Sequence, residues 1–240
     1  MKTFFFAVVL LFPSLSAFSQ GQMPRSRKEL PPVKLFWKYP GYVVTLARDT
    51  IYGYLELKNL VNNEDVVLFY KNEQDEKFTK KYRPKELLAY KVGPRYYESL
   101  KFKPPASYAV NDARTYHFVL KAIDGPLTLY KWYYESKART EQRVQINKKD
   151  PWLSHVDLSF SENDLAENDY LKTPKGDWID LNTLGMMMHF KKNMSKLVAE
   201  DKALAQKIKN KEKGYQYIDI DHIITEYNRW YLAHHPGFSK

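Results

Sequence analysis

Apolar and polar residues alternate with the period of a β-strand through the first two thirds of the chain. In TIYGYLELK (50–58), Ile51, Gly53, Leu55 and Leu57 alternate against Tyr52, Tyr54, Glu56 and Lys58. GYVVTLAR (41–48) precedes it across Asp49, and DVVLFYK (65–71) follows the turn-rich VNNE. The charged KNEQDEKFTKK (71–81) reads as a hairpin tip. ELLAYKVG (86–93), YYESLKF (96–102), YHFVLKAI (116–123) and LTLYKWYYE (127–135) continue the series, the last two joined by the turn Asp124-Gly125-Pro126. RVQIN (143–147) and HVDLSF (155–160) complete about nine short strands. No helical stretches separate them, which predicts an antiparallel sandwich or barrel-like sheet over 36–160 rather than a parallel doubly wound one.

After residue 160 the pattern changes. SENDLAENDY (161–170) is acidic and reads as a solvated loop or one short helical turn, and YLKTPKGDWIDLN (170–182) as a small hairpin around Pro174-Lys175-Gly176. Together they form an expected acidic connection, 161–182. A helical region, 183–240, follows, with helices at about 184–199 (behind Asn182 or Thr183), 202–210 (capped by Asp201) and 219–234. In the last, Ile220, Ile223, Ile224, Tyr227, Trp230 and Tyr231 form one apolar stripe, and Pro236-Gly237 ends it. The expected class is α+β: a mainly antiparallel sheet with a C-terminal helical segment packed on it.

The first residues follow another logic. MKTFFFAVVLLFPSLSAFSQ has one cation, an apolar run from Phe4 to Phe12 and small residues at Ala17 and Ser19, the pattern of a signal peptide (1–19) cleaved to leave Gln20 first. The run is far short of the roughly 20 residues a spanning helix needs. Residues 20–35 read as a flexible basic lead-in. The chain is therefore expected to be exported to the periplasm or cell surface and not to span the membrane once cleaved. The formal charge of +10 favours anionic partners. Export removes nucleic acid from that list and leaves anionic envelope polymers or lipid head groups, with another envelope protein as a further partner. The charge is uneven, since residues 151–180 hold two cations against seven acids. The absence of cysteine excludes disulfides, thiolate metal sites and cysteine nucleophiles.

Candidate chemistry is sparse. His155 and Asp157 share a strand face, and Glu162, Asp164, Glu167 and Asp169 offer hard oxygen ligands, but the spacing lacks the central glycine of a calcium loop. No metal and no cofactor is expected. His222 and Glu226, one turn apart, read as a surface pair. Neither a Gly-x-Ser-x-Gly elbow nor a glycine-rich phosphate loop is present, and no catalytic residue is assigned. Two binding signals remain. Tyr130, Trp132 and Tyr134 alternate with Leu129, Lys131 and Tyr133, placing large rings on both faces of a strand, one face for the core and the other a platform for sugar or peptide. Lys191, Lys192 and Lys196 open a lysine-rich helical region suited to anionic lipid head groups or polysaccharide.

The signal peptide ending in Ser-Gln, GYVVTLARDTIYGYLELKN, YRPKELLAYKVG, FVLKAIDGPLTLYKWYYE and the closing YIDIDHIITEYNRWY together resemble a broad class of exported proteins of Bacteroidota-type Gram-negative bacteria. The resemblance implies location and architecture, and brings no activity, cofactor or catalytic residue with it. The expectation is a non-catalytic binding or structural module of the cell envelope. The alternative is a hydrolase of envelope polysaccharide or peptide with a dispersed site.

Overall fold

A computed structural model describes residues 33–102, 115–134 and 165–238. The signal peptide, most of the lead-in, RVQIN, HVDLSF and the His155, Asp157, Glu162 and Asp164 positions lie outside the described residues. Ten strands form one antiparallel sheet: β1 (Trp37–Thr45), β2 (Thr50–Leu57), β3 (Val67–Tyr70), β4 (Lys80–Tyr82), β5 (Leu87–Val92), β6 (Arg95–Phe102), β7 (Thr115–Ile123), β8 (Thr128–Tyr134), β9 (Ala166–Lys172) and β10 (Trp178–Asp180). Their order is β10-β9-β8-β7-β6-β5-β1-β2-β3-β4, so the sheet is open, with β10 and β4 at its edges. A short helix, α1 (Leu60–Asp65), packs on β7 and β8.

The connection from β4 to β5 forces this sheet to curl. Five Cα steps separate Tyr82 from Leu87, and three of those residues, Pro84–Glu86, form a 3₁₀ turn. In a flat sheet β4 and β5 would stand four strand spacings apart, about 19 Å. A fully extended link reaches at most about 18 Å, and a 3₁₀ turn rises only about 2 Å per residue. β4 must therefore swing back over the concave face, and Tyr82 shares a core with Leu87, Tyr90, Val43, Leu55 and Phe69. Gly41 of β1 faces Gly53 of β2. A Cβ on Gly41 would lie 2.0 Å from the Lys91 carbonyl oxygen, and one on Gly53 2.5 Å from the Phe69 ring, so only glycine admits this approach.

The C-terminal region supplies α2 (Leu184–Met188), α3 (Phe190–Leu197), α4 (Lys202–Asn210) and α5 (Ile220–His234). Thr183 and Asp201 cap α2 and α4, their side-chain oxygens accepting from Met186 N and Leu204 N. α5 buries Ile220, Ile223, Ile224 and Tyr227 with Leu127, Leu129, Leu171 and Leu181 of the sheet, at about 1.5–3 kcal/mol per large side chain. The α+β expectation therefore holds: a mainly antiparallel sheet with C-terminal helices packed on it. No helix among the described residues is long and apolar enough to cross a membrane.

One segment departs from the reading. Much of the acidic stretch expected as a solvated loop forms strand β9, and Glu167 and Asp169 are buried. The hairpin around Pro174-Lys175-Gly176 is present as β9–β10 and extends the sheet well past residue 160. The reason is a buried cation: Asp169 stands opposite Lys131 of β8.

Candidate functional site

The open face of the sheet carries an ordered row of side chains. Tyr42 of β1 stands opposite Tyr52 of β2 on one side and opposite Lys91 of β5 on the other, and Lys91 stands opposite Tyr96 of β6. Because side chains alternate faces along each strand, register alone places Tyr52, Tyr42, Lys91 and Tyr96 on one line across four strands. The Tyr42 and Tyr52 rings meet edge to face with centroids 5.6 Å apart. Lys121 of β7 extends the line, its ammonium 4.5 Å above the Tyr96 ring. Tyr52 is 76% exposed and Lys91 is exposed, while Tyr42 and Tyr96 are half-buried. Beside Gly41 and Gly53 the row lies in an open groove of about 590 Å³, whose lining includes Pro40, Tyr54 and Gly93.

Towards β8 the row closes into a hydrogen-bonded network. Tyr130 donates to Glu98 Oε2 at 2.6 Å, Glu98 also pairs with Lys121, and Lys121 lies 3.6 Å from Asp124. Burial works against the Lys121 ammonium and is outweighed by the hydrogen bond and charge of Glu98, so its pKa is raised. Burial, then the Glu98 charge, raises the Tyr96 pKa, so its phenol is a neutral donor at physiological pH. The chemistry on offer is flat ring faces, phenol hydroxyls and ammonium groups, a set suited to holding an anionic, ring-containing ligand.

The residues expected to form the ring platform are core residues instead. Tyr130, Trp132 and Tyr134 are 2%, 2% and 3% exposed. Phe102 meets Trp132 edge to face at 5.2 Å, Tyr134 stacks on Trp132 at 5.0 Å, and Trp178 covers Tyr130 at 5.0 Å. All seven positions of β8 are buried, so this strand presents no free face for its rings, whatever its alternation. Lys191, Lys192 and Lys196 are exposed on α3, away from its buried Phe190 and Met194. His222 and Glu226 do pair, at 3.5 Å, and Glu226 is further bound by Lys207 at 2.9 Å and by the Tyr215 hydroxyl at 2.8 Å.

A second polar cluster lies between the sheet and α5. Lys131 is surrounded by Asp221 Oδ1 at 3.3 Å, Glu167 Oε1 at 3.5 Å and Asp169 Oδ2 at 3.8 Å. Burial disfavours its charge, but Asp169, Glu167 and Asp221 outweigh that and raise its pKa, so the ammonium persists in the interior. Together, the fold and its exposed row describe an open-sheet protein with an aromatic and cationic outer face. The chain matches no protein-family model, no curated protein and no solved structure.

Proposed function

We propose that this chain is an exported, non-catalytic binding module of the cell envelope that holds an acidic polysaccharide along the tyrosine–lysine row. The observation that carries the reading is the register of Tyr52, Tyr42 and Lys91 side by side on an open face. Sugar rings present C–H faces that pack on phenol rings, and their carboxylates meet ammonium groups. The resemblance to exported Bacteroidota-type proteins supports the location, and the chain's positive charge favours approach of a polyanion.

Affinity electrophoresis through alginate, a uronic-acid polymer, tests this, with neutral dextran as reference. The protein is expected to be retarded by alginate alone. Tyr52→Ala and Lys91→Gln are each expected to weaken retention about fivefold, the equivalent of about 1 kcal/mol per contact. Trp132→Phe, in the core, leaves retention unchanged. Retention insensitive to both row substitutions would remove the row from the reading, and shortening of the polymer would make the protein a hydrolase.

A further inference from the structure

The helical region exposes a second surface that the polysaccharide reading does not use. Leu184 is 71% exposed and Met188 69%, both on α2, and Met187 beside them is 36% exposed. Leu184 and Met188 are among the most exposed large apolar side chains described. α2 and α3 run on as one kinked helix: the His189 amide donates to the Gly185 carbonyl at 3.2 Å, and the Asn193 amide donates to the His189 carbonyl at 2.9 Å. Leu184, Met188, Lys192 and Lys196 then follow one another at four-residue spacing, with Met187 and Lys191 alongside. The opposite side, Met186, Phe190, Met194 and Val198, is buried against the sheet and the other helices. An open groove of about 570 Å³ beside the stripe has Ile179, Met186 and Leu197 among its lining residues, with Lys196.

We propose that this face docks on an anionic lipid bilayer, with Leu184 and Met188 entering the head-group boundary and Lys191, Lys192 and Lys196 meeting lipid phosphates. Apolar side chains that protrude into water at one end of a helix, followed by a cationic face, match the two layers of such a membrane: hydrocarbon beneath, anionic head groups above. A polysaccharide would use the lysines and leave the leucine and methionine in water. The apolar and cationic halves together therefore favour lipid over a soluble polyanion. The inference is independent of the tyrosine–lysine row.

Co-sedimentation of the full chain with vesicles tests it, comparing phosphatidylcholine alone with phosphatidylcholine containing about 30% phosphatidylglycerol. Binding to the anionic vesicles only is expected. Replacing Lys191, Lys192 and Lys196 together by Gln is expected to reduce it on the order of 100-fold at low salt, about fivefold per charge. Leu184→Ser with Met188→Ser, which keeps every charge, is expected to reduce it by roughly tenfold or more. Lys209→Gln with Lys213→Gln, on α4 and beyond it, and Tyr52→Ala on the sheet should leave it unchanged. These substitutions all fall on exposed positions, so the variants are expected to fold, and the circular dichroism spectrum checks that. If the Leu184/Met188 variant binds as the parent does, or the Lys209/Lys213 variant falls as far as the Lys191/Lys192/Lys196 one, binding is diffuse attraction of a cationic protein and the proposal is overturned. A concentration-dependent dimer lost in the Leu184/Met188 variant, with no vesicle binding, would overturn it too and assign the face to a second copy.

Discussion

Two buried charged residues set the strongest demands on individual positions. Lys131 answers three carboxylates, and removing it leaves Glu167, Asp169 and Asp221 facing one another with little water. Loss of one partner from a buried ionic cluster costs about 3–5 kcal/mol, so Lys131→Met is expected to lower the denaturation midpoint sharply, and adding Asp221→Asn should recover part of the loss. Denaturant titration of the single and double variants measures both; equal midpoints for Lys131→Met and the parent would show that the cluster contributes nothing. Glu64 makes the opposite case. Its carboxyl is buried under α1 and accepts from the Tyr133 amide at 2.7 Å. Burial raises its pKa well above the ordinary 4.5, against the lowering effect of the Tyr133 hydrogen bond, and the Asp65 charge adds to the rise. Below pH 4.5 the acid is protonated in folded and unfolded chains alike, and its contribution to stability is fully present. As pH rises through 4.5 the unfolded chain ionises first, and stability is lost until the folded value is passed. Glu64→Gln keeps the acceptor and removes the titration. It should match the parent near pH 4 and be the more stable of the two at pH 7, as read from urea midpoints at the two values. A variant less stable than the parent at pH 7 would contradict this.

At the scale of elements, the helix that anchors the C-terminal region depends on one polar residue inside an apolar stripe. Asn228 of α5 accepts from the Leu127 amide and donates to the Leu127 carbonyl, both at 2.8 Å, and so fastens the helix to the β7–β8 turn. A Cβ on Gly125 would stand 2.2 Å from the Asn228 side-chain nitrogen, which explains a glycine at that point of the turn. Asn228→Ala strips two buried backbone groups of their partner, at about 1–3 kcal/mol each, and is expected to speed hydrogen exchange at Leu127 and along α5 while leaving β1–β5 protected. Uniform loss of protection would show instead that α5 and the sheet open as one unit. The apolar stripe of α5 was readable from spacing alone, because each of its members obeys the 3.6 period. Asn228 was not, since nothing in a stripe marks which polar neighbour will reach a turn a hundred residues earlier. β9 was hidden for a related reason: Glu167, Asp169 and Leu171 share a strand face, but two of the three are acids that normally mark solvent. The tyrosine–lysine row was half legible. The alternation of Tyr52 and Tyr54 was plain, but the row exists only once Lys91 and Tyr96 are brought into register through a crossover that skips three strands.

For the molecule as a whole, the division of labour between core and terminus carries the last expectation. Without cysteine, the fold rests on apolar packing, which among the described residues forms three clusters, one inside the curled half of the sheet, one under the helices and one around Trp132. The apolar run Phe4–Phe12 belongs, in the proposed reading, to a removable address. Two outcomes follow from the proposed export. Deleting residues 1–19 should leave the thermal midpoint within about 1 °C of that of the uncleaved chain, because a removable address is no part of the folded protein. Fractionation of a Gram-negative host expressing the full sequence, with N-terminal sequencing of the recovered protein, should yield a chain beginning at Gln20 in the envelope or medium. The processed chain would lose only Lys2 among its charged residues, so the positive surface that both the sheet face and the α2–α3 face rely on survives cleavage almost intact. A full-length chain beginning at Met1 and confined to the cytoplasm would remove the envelope from the reading, leaving the row and the helical face to be tested against anions of that compartment instead.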